Sequence, residues 1–343
     1  MATVELAAFA LASPRLAGKR ERAAHMRPTV WMKFSLAGAA ASAVAALALS
    51  ACGSTATAAR THHTATSAVG PSPSSAEANP STHASNAIPA ASVPRPAHVV
   101  VVVLENRGYQ QIIGNSDAPF LNQLANQGAL FTRSYAITHP SEPNYLALFS
   151  GSTHGVSGDP CPVTFAAPNL ASDLLAAGKS FIGYSEGLPT VGSRVCDAPQ
   201  YSRQLSPWIA FSNVPASVSR PFANFPSGDF SRLPTVSFVI PDMCNDMHNC
   251  SVATGDAWLR THLGGYASWA MSHDSVLIVT WDEDDFTAAN HIATIFVGQP
   301  IRPGRYAQQI THYSVLATIE AAYGLAREGN AATTVPIDYI WRS

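Results

Sequence analysis

Short apolar runs recur along the second part of the chain and are separated by longer segments of mixed character. The run His98–Leu104 (HVVVVVL) is rich in β-branched residues and shows no polar alternation. This pattern is typical of a strand buried on both faces, as in a parallel sheet covered by helices. Similar runs occupy residues 181–184, 235–240, Ser275–Trp281 and 292–297. Together these runs predict the strands of one central sheet.

Segments with helical length and composition lie between the apolar runs. They cover Pro119–Gln127, 144–149, 169–177, 256–271 and 313–323. Strands that alternate with helices favour an α/β domain. We therefore predict a globular domain over residues 97–343, with a mostly parallel central sheet flanked by helices.

The first 52 residues contain the features of an export signal. Two basic residues precede the uncharged apolar run 34–49, which leads into Leu-Ser-Ala-Cys with the cysteine at position 52. The run is shorter than the ~20 residues of a membrane span, and small residues follow it as in a cleaved signal. Leu-Ser-Ala-Cys also resembles the lipoprotein box of bacteria, which predicts that Cys52 is lipidated and becomes the mature N-terminus. An ordinary cleaved signal is the alternative, and Met26 or Met32 is the expected start.

Residues 53–96 consist mainly of Ala, Ser, Thr and Pro, with three charged residues and no aromatic residue. Such a segment cannot bury enough apolar surface to offset the entropy lost on ordering. We predict a disordered tether between the membrane and the domain. The expected location is the cell envelope, with a freely secreted protein as the alternative.

Charge is distributed unevenly along the chain. Residues 97–343 contain 12 Lys/Arg and 19 Asp/Glu, which gives a formal net charge of −7. A domain with this charge has no electrostatic footprint for nucleic acid, so no nucleic-acid partner is expected. Bound cations would offset the negative charge, although an acidic soluble surface explains it equally well. The oligomeric state is left open.

Four cysteines lie in the predicted domain: Cys161, Cys196, Cys244 and Cys250. An even number of cysteines in an exported domain indicates disulfide bonds. A Cys244–Cys250 bond closes a short loop and is the preferred pair, which leaves Cys161 for Cys196. A cysteine-based zinc site is the alternative, but the chain has no C-x-x-C spacing.

Polar clusters stand directly after three of the predicted strands. They are Glu105-Asn106, Pro241-Asp242 and Asp282-Glu283-Asp284-Asp285. In open α/β sheets the site lies outside the carboxyl ends of the strands. We therefore expect these clusters to converge, although Glu105-Asn106 taken alone also fits a cap or a turn.

A bound divalent cation would solve the charge problem that these clusters create. A carboxylate at the end of a buried strand must be solvated, paired or bound to a metal. No Lys or Arg occurs between Asp274 and Arg302. Potential ligands are also dense in the segment 241–250. These are Asp242, Asp246 and His248.

Ser141 precedes a predicted helix within His-Pro-Ser-Glu-Pro-Asn-Tyr (139–145). One interpretation makes Ser141 the N-cap, with Glu142 in the favoured first turn. The other makes Ser141 a nucleophile at a helix N-terminus, where anions bind and where a metal would lower the pKa of the hydroxyl. The two interpretations are compatible.

Five motifs, taken in order, resemble the phosphoesterase family that includes bacterial acid phosphatases and phospholipases C, within the alkaline phosphatase superfamily. They are Leu-Glu-Asn-Arg (104–107), the Ser141 motif (139–145), Cys-Asn-Asp-Met-His (244–248), Thr-Trp-Asp-Glu-Asp-Asp (280–285) and Asn-His-Ile-Ala-Thr-Ile-Phe-Val-Gly (290–298). The resemblance covers residues 98–324 and implies an alkaline-phosphatase-like fold.

The resemblance also implies roles for individual residues. It implies that Ser141 is the phosphorylated nucleophile and that the Ser141 hydroxyl contacts the metal. The implied metal ligands are Glu105, Asn106, Asp282 and Glu283, with His291 nearby. Asp242, Asp246 and His248 occupy the region where other superfamily members place ligands of a second metal, so one or two divalent cations are expected.

These observations predict a metal-dependent hydrolase of phosphate esters that acts through a phosphoserine. His139, His291 or His312 would protonate the leaving oxygen or activate water, because only histidine has an unperturbed pKa near neutrality. A phosphomonoester, a phosphodiester or a phospholipid headgroup fits equally well, and the loops of 185–233 are expected to discriminate among them. The alternatives are a serine acyl hydrolase, although no G-x-S-x-G occurs, and a non-catalytic ligand-binding lipoprotein on the same fold.

Overall fold

The apolar run His98–Leu104 forms the first strand, β1, at the centre of a mixed sheet in a computed structural model that describes residues 93–342. The predicted leader, Cys52 and the tether up to residue 92 lie outside the described residues. The other strands are β2 Ala129–Tyr135, β3 Phe181–Ser185, β4 Asp197–Ala198, β5 Tyr201–Ser202, β6 Ser219–Pro221, β7 Val236–Ile240, β8 Ser275–Trp281, β9 His291–Gly298, β10 Gly304–Tyr306 and β11 Ile310–Thr311. The α-helices are α1 Tyr109–Ile112, α2 Pro119–Gln127, α3 Ser141–Ser150, α4 Leu170–Ala176, α5 Val252–Ala270 and α6 His312–Tyr323.

The strand order of the main sheet is β10-β2-β9-β8-β1-β7-β3-β6, and β11 also pairs with β2. Strand β1 runs parallel to β7 and β8, and β3 runs parallel to β7 and β6. Strand β9 is antiparallel to both of its neighbours, β8 and β2. The prediction of an α/β domain with a mostly parallel sheet is therefore confirmed.

Strand β1 lacks polar alternation because both of its faces are covered. The odd-numbered residues from Val99 to Val103 pack into one apolar core with residues of α3, α4 and α6. The even-numbered residues from Val100 to Leu104 pack into a second core with residues of α2 and α5. The sheet therefore separates two helical layers, and polar groups can leave β1 only at its ends.

Strand β2 is missing from the sequence prediction. Its second half, Thr-Arg-Ser-Tyr, mixes polar and aromatic residues, so it carries no apolar run. Pairing with β9 on one side and with the short strands β10 and β11 on the other makes it a strand. Tertiary contacts rather than local pattern decide this element.

Two helices begin three or four residues earlier than predicted. Helix α5 begins at Val252 because the Ser251 side chain accepts a hydrogen bond from the Thr254 N–H and caps it. Helix α3 begins at Ser141 itself, with Pro140 at the N-cap position. The interpretation of Ser141 as an N-cap is therefore wrong, and its side chain is free for other contacts.

Both predicted disulfide bonds, Cys161–Cys196 and Cys244–Cys250, are present. Disulfides persist in oxidising compartments, which agrees with an exported protein. Within residues 93–342, no helix is both long and apolar enough to cross a membrane.

Gly151 ends α3 and should be a position where an added methyl group is costly. It has φ +70°, and a Cβ atom there would lie 2.0 Å from the carbonyl oxygen of Glu328. Gly178 has the same φ of +70° but no atom within 4 Å of the corresponding position. Gly178→Ala should therefore show only the cost of left-handed backbone, about 1–2 kcal/mol. Gly151→Ala should lower the free energy of unfolding by about 3 kcal/mol or more, because steric overlap adds to that cost.

Urea unfolding of the two variants beside the unchanged protein measures this difference. Equal destabilisation by the two substitutions would contradict the close approach of the 328–330 segment to the end of α3.

Candidate active site

The carboxyl ends of β1 and β8 bring two of the predicted polar clusters together. The Asp282 N–H donates to the Leu104 carbonyl oxygen at 2.9 Å, which continues the pairing of the two strands beyond Trp281. The Asn106 N–H donates to Asp282 Oδ1 at 3.1 Å, and Asn106 Nδ2 donates to Glu105 Oε2 at 2.9 Å. Parallel register therefore places residues 105 and 106 directly beside residue 282.

Ser141 reaches the same point from the first residue of α3. Its hydroxyl oxygen lies 3.1 Å from Glu105 Oε2 and 3.3 Å from Glu283 Oε1, and each oxygen is an acceptor for its proton. The serine is only 7% exposed. The hydroxyl is therefore held between carboxylates that come from two different strands.

Two further side chains of α3 hold these carboxylates in place. The Tyr145 hydroxyl donates to Glu105 Oε1 at 2.5 Å, and Asn144 Nδ2 lies 3.5 Å from Glu283 Oε2. Asn144 Oδ1 accepts hydrogen bonds from the backbone of the segment that leads into the helix. Sequence reasoning assigned no role to Asn144 or Tyr145. Their positions three and four residues after Ser141, on the same helix face, are the signal that marks them.

The site concentrates buried negative charge. Burial raises the pKa of Asp282 and of Glu283 to about 8. Burial, followed by repulsion from Asp282 and Asp246, holds the pKa of Glu105 well above its usual range. Among residues 93–342, no Lys or Arg side chain lies within ion-pair distance of these carboxylates. Within this part of the chain, positive charge can therefore reach these carboxylates only from a protonated His139 beside Glu283.

Three buried oxygen atoms of the site accept no hydrogen bond within the described part of the chain: Asn106 Oδ1, Asp246 Oδ2 and Asp282 Oδ2. Buried oxygens of this kind call for a donor or a cation, and carboxylate and amide oxygens are ligands of hard divalent cations. No three His, Cys, Asp or Glu side chains among residues 93–342 are arranged as a metal site. The Asn106 and Ser141 oxygens would therefore have to complete a ligand set, and the donors present fit such a cation.

The loop after β7 contributes one residue to this cluster. The Asp246 carbonyl oxygen accepts a hydrogen bond from the Glu105 N–H at 2.8 Å, and burial raises the pKa of Asp246 to about 8. Asp242 Oδ1 instead accepts hydrogen bonds from two backbone N–H groups of its own loop, at 2.9 and 3.0 Å. The His248 side chain is exposed, and the His248 backbone N–H donates to Asp246 Oδ1 at 2.7 Å. Asp246 therefore joins the site, Asp242 organises the loop and His248 lies at the surface beside Asp246.

Of the three predicted acid–base histidines, His139 contacts the site. Its Nδ1 lies 2.6 Å from Glu283 Oε2, and its side chain is 23% exposed. The exposed ring of Phe286 stacks on it with the centroids 4.9 Å apart. His139 therefore connects the buried carboxylates with solvent.

The other two histidines have different surroundings. His291 is stacked between Tyr109 and Tyr135, with ring centroids 4.6 and 5.1 Å away, and its Nε2 lies 3.1 Å from the Thr132 carbonyl oxygen. His312 is buried, its Nε2 lies 2.7 Å from the Asp282 carbonyl oxygen, and burial lowers its pKa to about 4. A neutral His312 can donate to that oxygen and orient the turn after β8.

Asp159 is a neighbour of the site that sequence reasoning missed. Its Oδ1 accepts a hydrogen bond from the Glu142 N–H at 2.9 Å, in the first turn of α3. Burial, and then the Asp159 charge, raise the pKa of Glu142 to about 7. Asp159 lies in an irregular segment, where no strand end or periodicity marks it.

The mostly parallel sheet flanked by helices, with this site at the ends of its strands, has the fold of the alkaline phosphatase superfamily. A solved member of that superfamily from Vibrio parahaemolyticus matches with a TM-score of 0.53 and 15% sequence identity, over 73% of this chain and 72% of that one. The model of the Phosphoesterase family matches residues 114–326, which is more than half of the chain. The chain belongs to the Phosphoesterase family.

Relatives named as phosphatases agree with this family. A phosphatidylinositol-3-phosphatase of Mycobacterium tuberculosis is 54% identical over 254 residues, which are 74% of this chain and 85% of that protein. An acid phosphatase of Aspergillus fumigatus is 30% identical over 252 residues, which are 66% of this chain and 55% of that protein. The family resemblance is confirmed, and the chain is a phosphoesterase, a hydrolase that acts on ester bonds.

Proposed function

We propose that the protein hydrolyses phosphate monoesters in a metal-dependent reaction that passes through a phosphoserine at Ser141. The observation that carries the proposal is the Ser141 hydroxyl, held between Glu105 and Glu283 at the first residue of α3. Two relatives named as phosphatases support a monoester rather than a diester. Release of inorganic phosphate from a monoester and from a diester, by the purified protein and its Ser141→Ala variant, tests the proposal.

The chain's own residues account for the first step. Ser141 Oγ attacks the phosphorus atom, and the bond from phosphorus to the leaving oxygen breaks. The serine proton passes to Glu105 or Glu283, the two carboxylates within hydrogen-bond distance of the hydroxyl. The positive end of the α3 dipole lies at Ser141 and favours the negative charge of the phosphoryl group. Water then attacks the phosphoserine, which releases phosphate and restores the hydroxyl.

The residues that would hold a divalent cation are Glu105, Asn106, Ser141, Asp282 and Glu283. When bound, such a cation would lower the pKa of the serine hydroxyl and offset the negative charge of the phosphoryl oxygens. The unpartnered oxygens of Asn106 and Asp282 support this ligand set. Asp246, with an unpartnered oxygen of its own, is the first candidate for a second cation. Asp242 and His248 are weaker candidates for this second cation. Asp242 already accepts a hydrogen bond from a backbone N–H group of its own loop.

We propose that His139 donates a proton to the leaving oxygen. Its contact with Glu283 and its partial exposure let it exchange a proton with solvent beside the serine. His291 and His312 are better suited to positioning, because one is stacked between tyrosines and the other is buried against the Asp282 carbonyl group.

The alternative of a serine acyl hydrolase has less support. Among the residues that the structure describes, Ser141 contacts carboxylates and not a histidine, and the sequence has no nucleophile-elbow motif. Hydrolysis of an aryl acetate without phosphate release would favour this alternative. The name of the M. tuberculosis relative supports a phosphorylated inositol lipid as the natural class of substrate.

We also propose that Cys52 carries the lipid that anchors the protein in the cell envelope. Residues 93–96 pack against the domain, where the Tyr323 hydroxyl donates to the Pro96 carbonyl oxygen at 3.0 Å, so the predicted tether is shortened to the 40 residues of 53–92. A flexible segment of that length would have an average reach of about 32–38 Å, so the site could act on substrates close to the membrane. The mature protein extracted from membranes should begin at Cys52 and have the mass of a lipidated chain, whereas a Cys52→Ser variant should remain unlipidated. A different N-terminus or a free thiol at Cys52, measured by intact mass, would mean a freely secreted enzyme.

A further inference from the structure

The first turn of α3, beside which the phosphoryl group has to bind, offers few backbone donors. Two of its four N-terminal positions, Pro140 and Pro143, have no N–H group. The Ser141 N–H donates to no oxygen atom of residues 93–342, whereas the Glu142 N–H donates to Asp159 Oδ1 at 2.9 Å. A phosphoryl oxygen at this helix end therefore finds the Ser141 N–H free and the Glu142 N–H already taken.

Little else than this hydrogen bond holds Asp159 at the helix. The residue is exposed, and the bond is the only one that residues 157–162 form within the described part of the chain. Gly155 and Gly158, on the N-terminal side of Asp159, have no atom within 4 Å of the position of an added Cβ, so there is open space around this segment. The disulfide bond of Cys161 fixes the chain on the other side. The Asp159 carboxylate can therefore leave the helix without breaking other hydrogen bonds of its segment.

Neighbouring charges oppose the contact between Asp159 and the helix. Burial is the main cause that raises the pKa of Glu142 and of Glu283, and repulsion from Asp159 raises both pKa values further. Glu283 is one of the two carboxylates beside the Ser141 hydroxyl, so the Asp159 charge acts on the space that a phosphoryl group would enter. Because a phosphoryl group and Asp159 are both negative and accept the same hydrogen bond, they exclude each other from the Glu142 N–H.

We propose that Asp159 takes the place of a phosphoryl oxygen in the free enzyme and that a bound phosphoryl group displaces it from the Glu142 N–H. The inference rests on the proposed phosphatase activity and adds a residue that weakens the binding of phosphate in substrate and product alike. When the phosphoserine has been hydrolysed, the returning carboxylate assists the release of inorganic phosphate. Product release is a step that limits the turnover of many enzymes.

Removal of Asp159 should strengthen the binding of phosphate. Asp159→Ala should lower the inhibition constant of inorganic phosphate, and KM for an aryl phosphate, about fivefold, because the ligand no longer competes for the Glu142 N–H. Asp159→Asn should lower both constants only about twofold, since its amide oxygen still accepts that hydrogen bond. Calorimetric titration with inorganic phosphate measures the same affinity without turnover. Asp274→Ala is the control, because it removes an exposed negative charge at the opposite end of β8 and should change neither constant.

A permanent cap on α3 predicts the opposite sign, because its loss would loosen the helix that carries Ser141 and weaken phosphate binding. An inhibition constant that rises or stays unchanged in Asp159→Ala, while the aryl phosphate is still hydrolysed, would overturn the displacement and keep the phosphatase. Equal gains in Asp159→Asn and Asp159→Ala would also overturn it, since loss of charge alone would then explain the effect. Failure of the unchanged protein to hydrolyse the aryl phosphate would overturn the proposed activity, whereas the calorimetric affinities would still decide the role of Asp159.

Discussion

Replacing Ser141 by alanine should lower the turnover of a phosphate monoester about 10³-fold or more while the protein stays folded. The substitution removes the attacking oxygen, and loss of a covalent nucleophile is among the most damaging changes to a hydrolase. The fold should survive, because the hydroxyl is hydrogen-bonded only to Glu105 and Glu283 within the described chain. Steady-state phosphate release and a thermal unfolding curve of both proteins measure the two effects.

Ser150→Ala provides the matched control for this prediction. Ser150 lies at the other end of α3 and is also buried, and its hydroxyl contacts the Leu146 carbonyl oxygen and His154 Nε2 rather than the site. Its alanine variant should keep its turnover and lose a small amount of stability, about 1 kcal/mol. Rapid acid quenching of the unchanged protein with substrate should also trap phosphate on Ser141, seen as a mass increase on its peptide. A Ser141→Ala protein that retains near-normal turnover would falsify the serine mechanism and leave activated water as the nucleophile.

The second large effect should come from Asp282→Asn, which should abolish activity together with tight binding of the metal. The change keeps the shape of the side chain but removes the charge at the end of β8. Chelation of the unchanged protein should have the same effect on activity, and added divalent cation should reverse it. Metal content per chain, measured on the purified proteins, should fall in the variant and distinguish one cation from two.

Thermal unfolding separates a metal ligand from a merely structural carboxylate. A cation that binds only the folded state raises its stability by about 2.7 kcal/mol at a concentration 100 times its Kd. This gain should appear in the unchanged protein and disappear in Asp282→Asn. Without metal, the variant should be at least as stable as the unchanged protein, because repulsion between Asp282 and Glu105 is relieved.

Asp274→Asn is the control for Asp282→Asn, since Asp274 is exposed at the opposite end of the same strand. It should change neither metal content nor turnover. A metal-free protein with full activity, or an Asp282→Asn variant that binds metal normally, would contradict the proposed cation site.

The histidines illustrate which part of the site the sequence could not assign. His139, His291 and His312 are equivalent candidates in the linear chain, because each is close to a predicted strand or helix. In the structure they face a carboxylate, two tyrosine rings and a backbone carbonyl group, respectively. The partner of a side chain depends on which strands are neighbours, and that information is not local.

The sequence by itself determined the features that depend on a few consecutive residues. The unbroken apolar run of β1 required cover on both faces, and the acidic residues after β8 predicted the site edge. The short spacing of Cys244 and Cys250 indicated their disulfide, and elimination then paired Cys161 with Cys196. The family motifs then identified a phosphoesterase. Such features can be recognised locally, because the burial of a strand and the closure of a short disulfide loop involve only a few consecutive residues.

Only the tertiary structure decided how these pieces meet. It placed β1 between β7 and β8, turned β9 antiparallel and recruited β2 despite its polar half. It also added Tyr145 and Asp159 to the surroundings of Ser141, from positions with no strand-end signal. The physical reason is that strand order and helix placement are set by the summed packing of both cores, to which each residue contributes only a small share.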